Sequence, residues 1–201
     1  MSVVVAIKEG NKVYVGADSQ TTKGGTRRTL ANPNNFKFWK VGNTDHCLMA
    51  HVGWVRDANL IKLLDLVSEY DVYKNNVDYR FVVKVVVPAI VETLSNAKYI
   101  ELDKLHDGID SSFLFIYKDQ LYSIGSDLSV LEIDDYVAIG SGANQAVGSL
   151  LSTEGEDPKS RIIKALKASA ASDIYVDYPI VIIDSESMQH EIITETDCKE
   201  K

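Results

Sequence analysis

Cysteine is nearly absent from this chain, and the two that occur, Cys47 and Cys198, stand far apart. They form neither a disulfide framework nor a metal-ligand spacing, which suits a reducing compartment. Long apolar runs are missing too. The N-terminal run, residues 2–7, is too short for a signal core and has no basic flank, and no other segment is long enough to span a bilayer. Positive charge is in deficit: 21 Lys and Arg stand against 29 Asp and Glu, for a formal charge of -8. That balance argues against nucleic acid or an anionic membrane as the main partner. Repeats, low-complexity tracts and Pro/Gly/Ser linkers are also lacking. The expectation is one cytoplasmic domain over residues 1–201, with a short charged tail from about residue 195 and no cofactor or metal.

What is present is enough apolar material, 45% of 201 residues, to bury a full core. Residues 3–7 form a β-branched run, Glu9-Gly10-Asn11 supplies turn chemistry, and residues 13–17 run back. Residues 19–35 are polar and read as a loop. Residues 36–41 and 47–52 pair around Gly42-Asn43, and an apolar stripe of Leu60, Ile61, Leu64 and Val67 predicts a helix over 57–69. The valine-rich stretch 77–94 has strand propensity, but Arg80, Lys84 and Glu92 fit one exposed helical face, which favours a helix.

Strands follow at 112–117, 120–124 and 136–139, then a helix over 143–151. Asp157-Pro158 is an N-cap with proline at the first helical position, opening a helix through Ala170. Strands at 179–184 and 191–194 close the chain. The order is a layered α+β arrangement of mostly antiparallel sheets covered by helices.

Ser2 is where chemistry enters. In a hairpin centred on Gly10, Asp18 falls opposite Ser2, give or take one position for the turn type. A small hydroxyl residue at position 2 is the kind from which methionine aminopeptidase removes Met1. The product would be a serine with a free α-amine as base, a hydroxyl as nucleophile and a carboxylate opposite. Met-Ser is a common start, so the rest of the chain has to carry the reading.

Four further segments do so together: the strand beginning at Lys37, Gly53 after its partner strand, Ile139-Gly140-Ser141-Gly142, and Ala171-Ser172-Asp173. With Gly16-Ala17-Asp18-Ser19-Gln20, and with Asp57-Ala58 after Gly53, this order resembles the proteasome β-subunit and HslV-like family of N-terminal nucleophile hydrolases, from Ser2 to about Asp184. The resemblance implies a four-layer αββα sandwich. It matches Ser2 to the nucleophile, Asp18 and Lys37 to the carboxylate–ammonium pair, and Gly53 to the backbone oxyanion donor. Ser141 and Asp173 match residues that hold the N-terminal amine, and Thr21, Asn35, His51 and Val55 fall where the family lines its substrate pocket.

The chain departs from the family in three places: serine replaces the usual threonine, Lys37 needs a short insertion before it, and Val176 stands where many members have serine. The implied activity is peptide hydrolysis within a homo-oligomeric ring or helical stack, on a polypeptide substrate and with an ATP-dependent unfoldase as a further partner. The alternatives are a non-catalytic structural subunit of such an assembly and a small-molecule amidase of the same fold.

Overall fold

The computed structural model describes residues 2–30, 32–42, 44–68, 71, 72, 74, 77–97 and 109–197. The chain begins with a hairpin, β1 (Val3–Glu9) and β2 (Lys12–Asp18), closed by a two-residue loop in which Gly10 takes φ +62°. A positive φ at the first loop position is what a glycine-led tight hairpin requires. The register pairs Val4 with Ala17 and Glu9 with Lys12. This sets Asp18 one position further along than centring on Gly10 gives, level with Val3.

The next segment corrects the sequence reading. Residues 19–35 are not a plain loop but a small hairpin, β3 (Gln20–Lys23) and β4 (Thr26–Thr29), then a 3-10 turn over Pro33–Asn35. All four β4 residues are exposed, so no apolar alternation marks the strand.

Beyond it, β5 (Phe38–Lys40) pairs with β6 (Cys47–Val52), and α1 (Val55–Ile61) is shorter than the predicted helix over 57–69, whose last residue lies outside the described set. Helix α2 runs through Tyr79–Phe81, Val82–Val86 and Val87–Asn96, with a wide π turn in the middle stretch. Pro88, which cannot donate to the ladder, follows directly on that turn, where the Val87 N–H reaches back five residues to the Val82 carbonyl. The helix expected over 77–94 is therefore present, with the valines absorbed by tertiary packing rather than by a strand.

Strands β7 (Ser112–Tyr117), β8 (Gln120–Ile124), β9 (Val130–Glu132) and β10 (Tyr136–Gly140) precede α3 (Ala143–Ser152) and α4 (Pro158–Ala170). The Asp157 carboxylate caps α4 by accepting from the Ser160 N–H at 3.0 Å, as expected. Strands β11 (Ile180–Asp184) and β12 (His190–Ile193) complete the fold.

Two five-stranded sheets result, in the orders β10-β1-β2-β11-β12 and β5-β6-β7-β8-β9. Three cores show how they stack. Val4, Ala6, Val15, Leu48, Leu114 and Ile116 meet between the sheets. Met49, Phe113, Phe115, Phe81, Val86 and Ile90 join the second sheet to α1 and α2. Val3, Val5, Ile7, Ile162 and Leu166 join the first sheet to α3 and α4. The alternation along β1 thus sends odd residues to the helices and even residues to the partner sheet. Gly16 lets α4 sit directly on β2, for a Cβ there would stand 2.2 Å from Ile162 Cγ2. The molecule is a four-layer αββα sandwich, with Ser2 at the mouth of the first sheet. Among the described residues no helix is long and apolar enough to cross a membrane.

Candidate active site

Ser2 is placed by two strands. Val3 pairs with Gly140 across β1 and β10, so the residues just outside that pair, Ser2 and Ser141, become neighbours. Ser141 Oγ lies 3.2 Å from the Ser2 nitrogen, which donates to it, and 3.4 Å from the Ser2 carbonyl. Gly140 makes the approach feasible at φ +105°, because a Cβ there would lie 2.1 Å from the Ser2 carbonyl oxygen. Ser169, buried on α4, donates to the Gly142 carbonyl at 2.8 Å and holds the Gly-Ser-Gly turn from below.

On the other side of Ser2, the Asp18 carboxylate ends β2. Its Oδ1 accepts from the Val3 N–H at 2.9 Å and from Lys37 Nζ at 2.6 Å, while Oδ2 accepts from the Gln20 N–H at 2.9 Å. Both side chains of the pair are almost closed to solvent, at 8% for Lys37 and 1% for Asp18. Burial lowers the Lys37 pKa below the ordinary lysine value and outweighs the opposing pull of Asp18 and Asp173. Lys37 itself precedes β5 by one residue, with its carbonyl bonded to the His51 N–H at 2.8 Å. A 3-10 turn precedes it, where the Asn32 side chain caps Asn34 and Pro33 starts the turn.

The remaining sequence-selected residues surround this network. Gly53 follows β6 at φ +128°, wedged against Asp110 and Ser111, whose carbonyl and hydroxyl oxygens would each lie 2.4 Å from a Cβ. Asp173 lies three residues past α4; Oδ1 accepts from the Tyr175 N–H at 2.9 Å, and the buried Oδ2 has no hydrogen-bond partner among the described residues. Thr21 is half-buried at the base of the β3–β4 hairpin, whereas Asn35 and Val55 are exposed. His51 is buried, with Nε2 3.1 Å from Ser111 Oγ and its ring 5.2 Å from that of Phe113. Its pKa falls to about 3, chiefly through burial and then through the Lys62 and Lys37 charges, so the imidazole is neutral.

Hydrogen bonds thus join Ser2 to Ser141 and Lys37 to Asp18, and the two pairs are linked through the Val3 N–H, which Asp18 accepts. Of the others, Gly53 and Asp173 stand on loops, Thr21 on β3, Asn35 on the 3-10 turn, His51 on β6 and Val55 at the start of α1. Three residues escaped the sequence reading: Ser169, Ser111 and the chemistry of Asp57. Their only signal was a polar residue on an otherwise apolar face. Among the described residues no group of three His, Cys, Asp or Glu side chains is placed to hold a metal ion.

The arrangement offers a hydroxyl, a buried ammonium whose carboxylate partner holds the next residue, and a backbone turn, the parts needed for acyl transfer. A search of the curated proteins finds no match. Among solved structures, a bacterial protein designated BPH from Thiobacillus denitrificans, in complex with epoxomicin, is 17% identical with a TM-score of 0.73; the match covers 93% of this chain and 99% of that one. Eukaryotic HslV from Trypanosoma brucei is 16% identical with a TM-score of 0.65, covering 90% and 98%. Anbu, an ancestral β-subunit, from Yersinia bercovieri is 14% identical with a TM-score of 0.67, covering 98% and 89%. These likenesses concern the fold. The proteasome-subunit family model matches residues 2–175, the sandwich up to but not including β11 and β12. With that match added to the two sheets, their helix layers and the glycine turns around Ser2, this chain belongs to the proteasome subunit family.

Proposed function

We propose that this chain is a peptide-bond hydrolase in which Ser2, exposed as the first residue by removal of Met1, is the nucleophile. The observation that carries the reading is the buried Asp18–Lys37 pair bonded to the backbone beside Ser2. Burying two charges costs several kcal/mol per ion, of order ~5, and an apolar pair of similar volume would stabilise the fold as well. A buried ammonium–carboxylate pair bonded to the residue after Ser2 is therefore better accounted for by chemistry than by stability.

In this mechanism the α-amine of Ser2 takes the hydroxyl proton as Oγ attacks the substrate carbonyl carbon. An α-amine titrates near ~7.7–8.0, which suits this task at neutral pH. Lys37 favours the developing alkoxide, and Ser141 orients the amine from 3.2 Å. The Gly53 N–H stabilises the tetrahedral oxyanion. Collapse expels the leaving amine, which receives the proton from the α-amine and leaves an ester on Ser2. Water, deprotonated by the same amine, then hydrolyses the ester. Asp173 adds negative charge that supports the protonated Lys37.

Thr21, Asn35 and Val55 bound the substrate path, and His51 lies beneath it as a neutral, apolar-backed wall. The natural substrate is a polypeptide, and the chain works as a homo-oligomer, a ring or helical stack, with an ATP-dependent unfoldase to feed it. Membership of the family supports this reading.

The test is the intact mass of untagged protein, followed by turnover of a panel of fluorogenic peptides. Loss of one methionine with turnover that disappears in Ser2→Ala and survives in Ser2→Thr supports the proposal. A retained Met1 without turnover removes it and leaves the structural-subunit role, and full turnover in Ser2→Ala removes Ser2 as the nucleophile.

A further inference from the structure

Beneath the Gly53 turn lies a buried cluster that the proposed chemistry does not use. Ser111 Oγ donates to Asp57 Oδ2 at 2.5 Å, accepts from the Trp54 N–H at 3.3 Å and stands 3.1 Å from His51 Nε2. Asp57 is fully buried and Ser111 is 1% exposed. In a hydrolytic triad the imidazole lies between the hydroxyl and the carboxylate. Here the hydroxyl lies in the middle and is closed to solvent, so Ser111 is no second nucleophile.

Proton counting shows what the cluster does instead. A serine hydroxyl has one proton and two lone pairs. With the proton on the Asp57 side, the lone pairs take the Trp54 N–H and an N–H from neutral His51, so every valence of Ser111 is filled. The cluster also touches the turn sterically: a Cβ on Gly53 would stand 2.4 Å from Ser111 Oγ. Trp54 is tied a second time, its Nε1–H donating to Asp110 Oδ2 at 3.2 Å. Asp57 reaches Ser111 from the first turn of α1, where its own N–H bonds the Trp54 carbonyl at 3.0 Å. The peptide units on both sides of Trp54 are therefore gripped by two residues from different elements.

We propose that Asp57 and Ser111 are positioning residues: by fixing the Gly53–Trp54 peptide and closing around Gly53, they set the Gly53 backbone so that its own N–H, on the preceding Val52–Gly53 peptide, points at the oxyanion. The proposal rests on the reading of Gly53 as the oxyanion donor. Misplacing a catalytic group by about 1 Å costs up to ~100-fold in rate, so loss of the hydroxyl should be felt in kcat.

The experiment compares wild type with Ser111→Ala, Asp57→Ala and Asp57→Asn. It measures peptide turnover, inhibition by a peptide aldehyde whose hemiacetal oxyanion needs the same donor, and exchange of the Trp54 amide hydrogen by NMR. Expected for Ser111→Ala is a kcat lower by about tenfold or more, KM within about twofold, an aldehyde inhibition constant weakened in parallel, and faster Trp54 exchange. Asp57→Asn keeps an acceptor of the same shape and should lie closer to wild type than Asp57→Ala, which also guards against a variant that fails to fold. Wild-type kcat and aldehyde affinity in Ser111→Ala would overturn the proposal, even with faster exchange. If wild type turns over no peptide, the peptidase reading fails separately; an unchanged Trp54 exchange rate in Ser111→Ala then overturns the positioning role as well.

Discussion

Lys37 Nζ and Asp18 Oδ1 meet at 2.6 Å, and the same carboxylate oxygen accepts the Val3 N–H at 2.9 Å. One atom therefore joins the cation, the strand that carries Ser2 and the end of β2. Moving any one of the three disturbs the other two.

Replacing Lys37 by alanine leaves Asp18 buried without its counter-charge. Loss of one partner of a buried pair costs about 3–5 kcal/mol, and peptide turnover should fall by at least about 100-fold through loss of the ammonium. Lys40, three residues on and exposed, is the control. Lys40→Ala should stay within about 0.5 kcal/mol of wild type in a urea titration and retain its turnover. Equal effects of the two substitutions would place the working lysine elsewhere.

Gly140 and Gly148 should respond in opposite directions to alanine. At Gly140 the new methyl would collide with the Ser2 carbonyl oxygen, 2.1 Å away, on a backbone at φ +105°. Strain of this kind costs about 1–3 kcal/mol, and because the collision is with Ser2 itself, turnover should be lost as well. At Gly148, inside α3, nothing among the described residues lies within 4 Å of the added carbon. Gly148→Ala should raise stability by about 0.5–1 kcal/mol and leave turnover unchanged. Paired thermal melts with activity assays check both.

Acid should destabilise the chain through His51. Its folded pKa is about 3, against 6.5 for the free side chain, so between those values the unfolded state binds the extra proton. The stability contributed by the neutral, buried imidazole is full above pH 6.5 and is lost as pH falls toward 3. The loss from this group should reach about 2 kcal/mol by pH 5. In urea titrations at pH 8, 7, 6 and 5, His51→Gln should show a shallower decline than wild type. Parallel declines would mean that His51 is not buried in its neutral form.

Cys47 should be inert. Burial pushes its thiol up to about 12, and the thiolate is the reactive species. Mass mapping after iodoacetamide at pH 8 should find Cys47 unmodified in the native chain and modified in urea. Rapid native labelling would show that β6 opens locally.

Much of the layered fold was legible because its signals are local. The Gly10 turn, the Asp157 cap and the apolar runs at residues 112–117 and 180–184 each act within a few residues. The hairpin Gln20–Thr29 was not legible, because both of its strands are short and polar and β4 is fully exposed. Helix α1 stops early because Leu64 and Val67, which continue the apolar stripe, join the same core from non-helical chain. Ser2 and Asp18 could be singled out from the hairpin, and Lys37 and Ser141 from the family resemblance, whereas the Asp57–Ser111 bond joins residues 54 apart with no motif between them.

The amino-acid sequence by itself determined the strand and helix periods, the tight glycine turns, the acidic balance and the residue types available for acyl transfer. These follow from backbone sterics and side-chain polarity over a few positions. Tertiary structure alone decided that Asp18 stands level with Val3, that Lys37 is buried against it, and that Ser111 lies under Gly53. Those relations depend on register and sheet stacking, which are set by the summed packing of three cores rather than by any local stretch of chain.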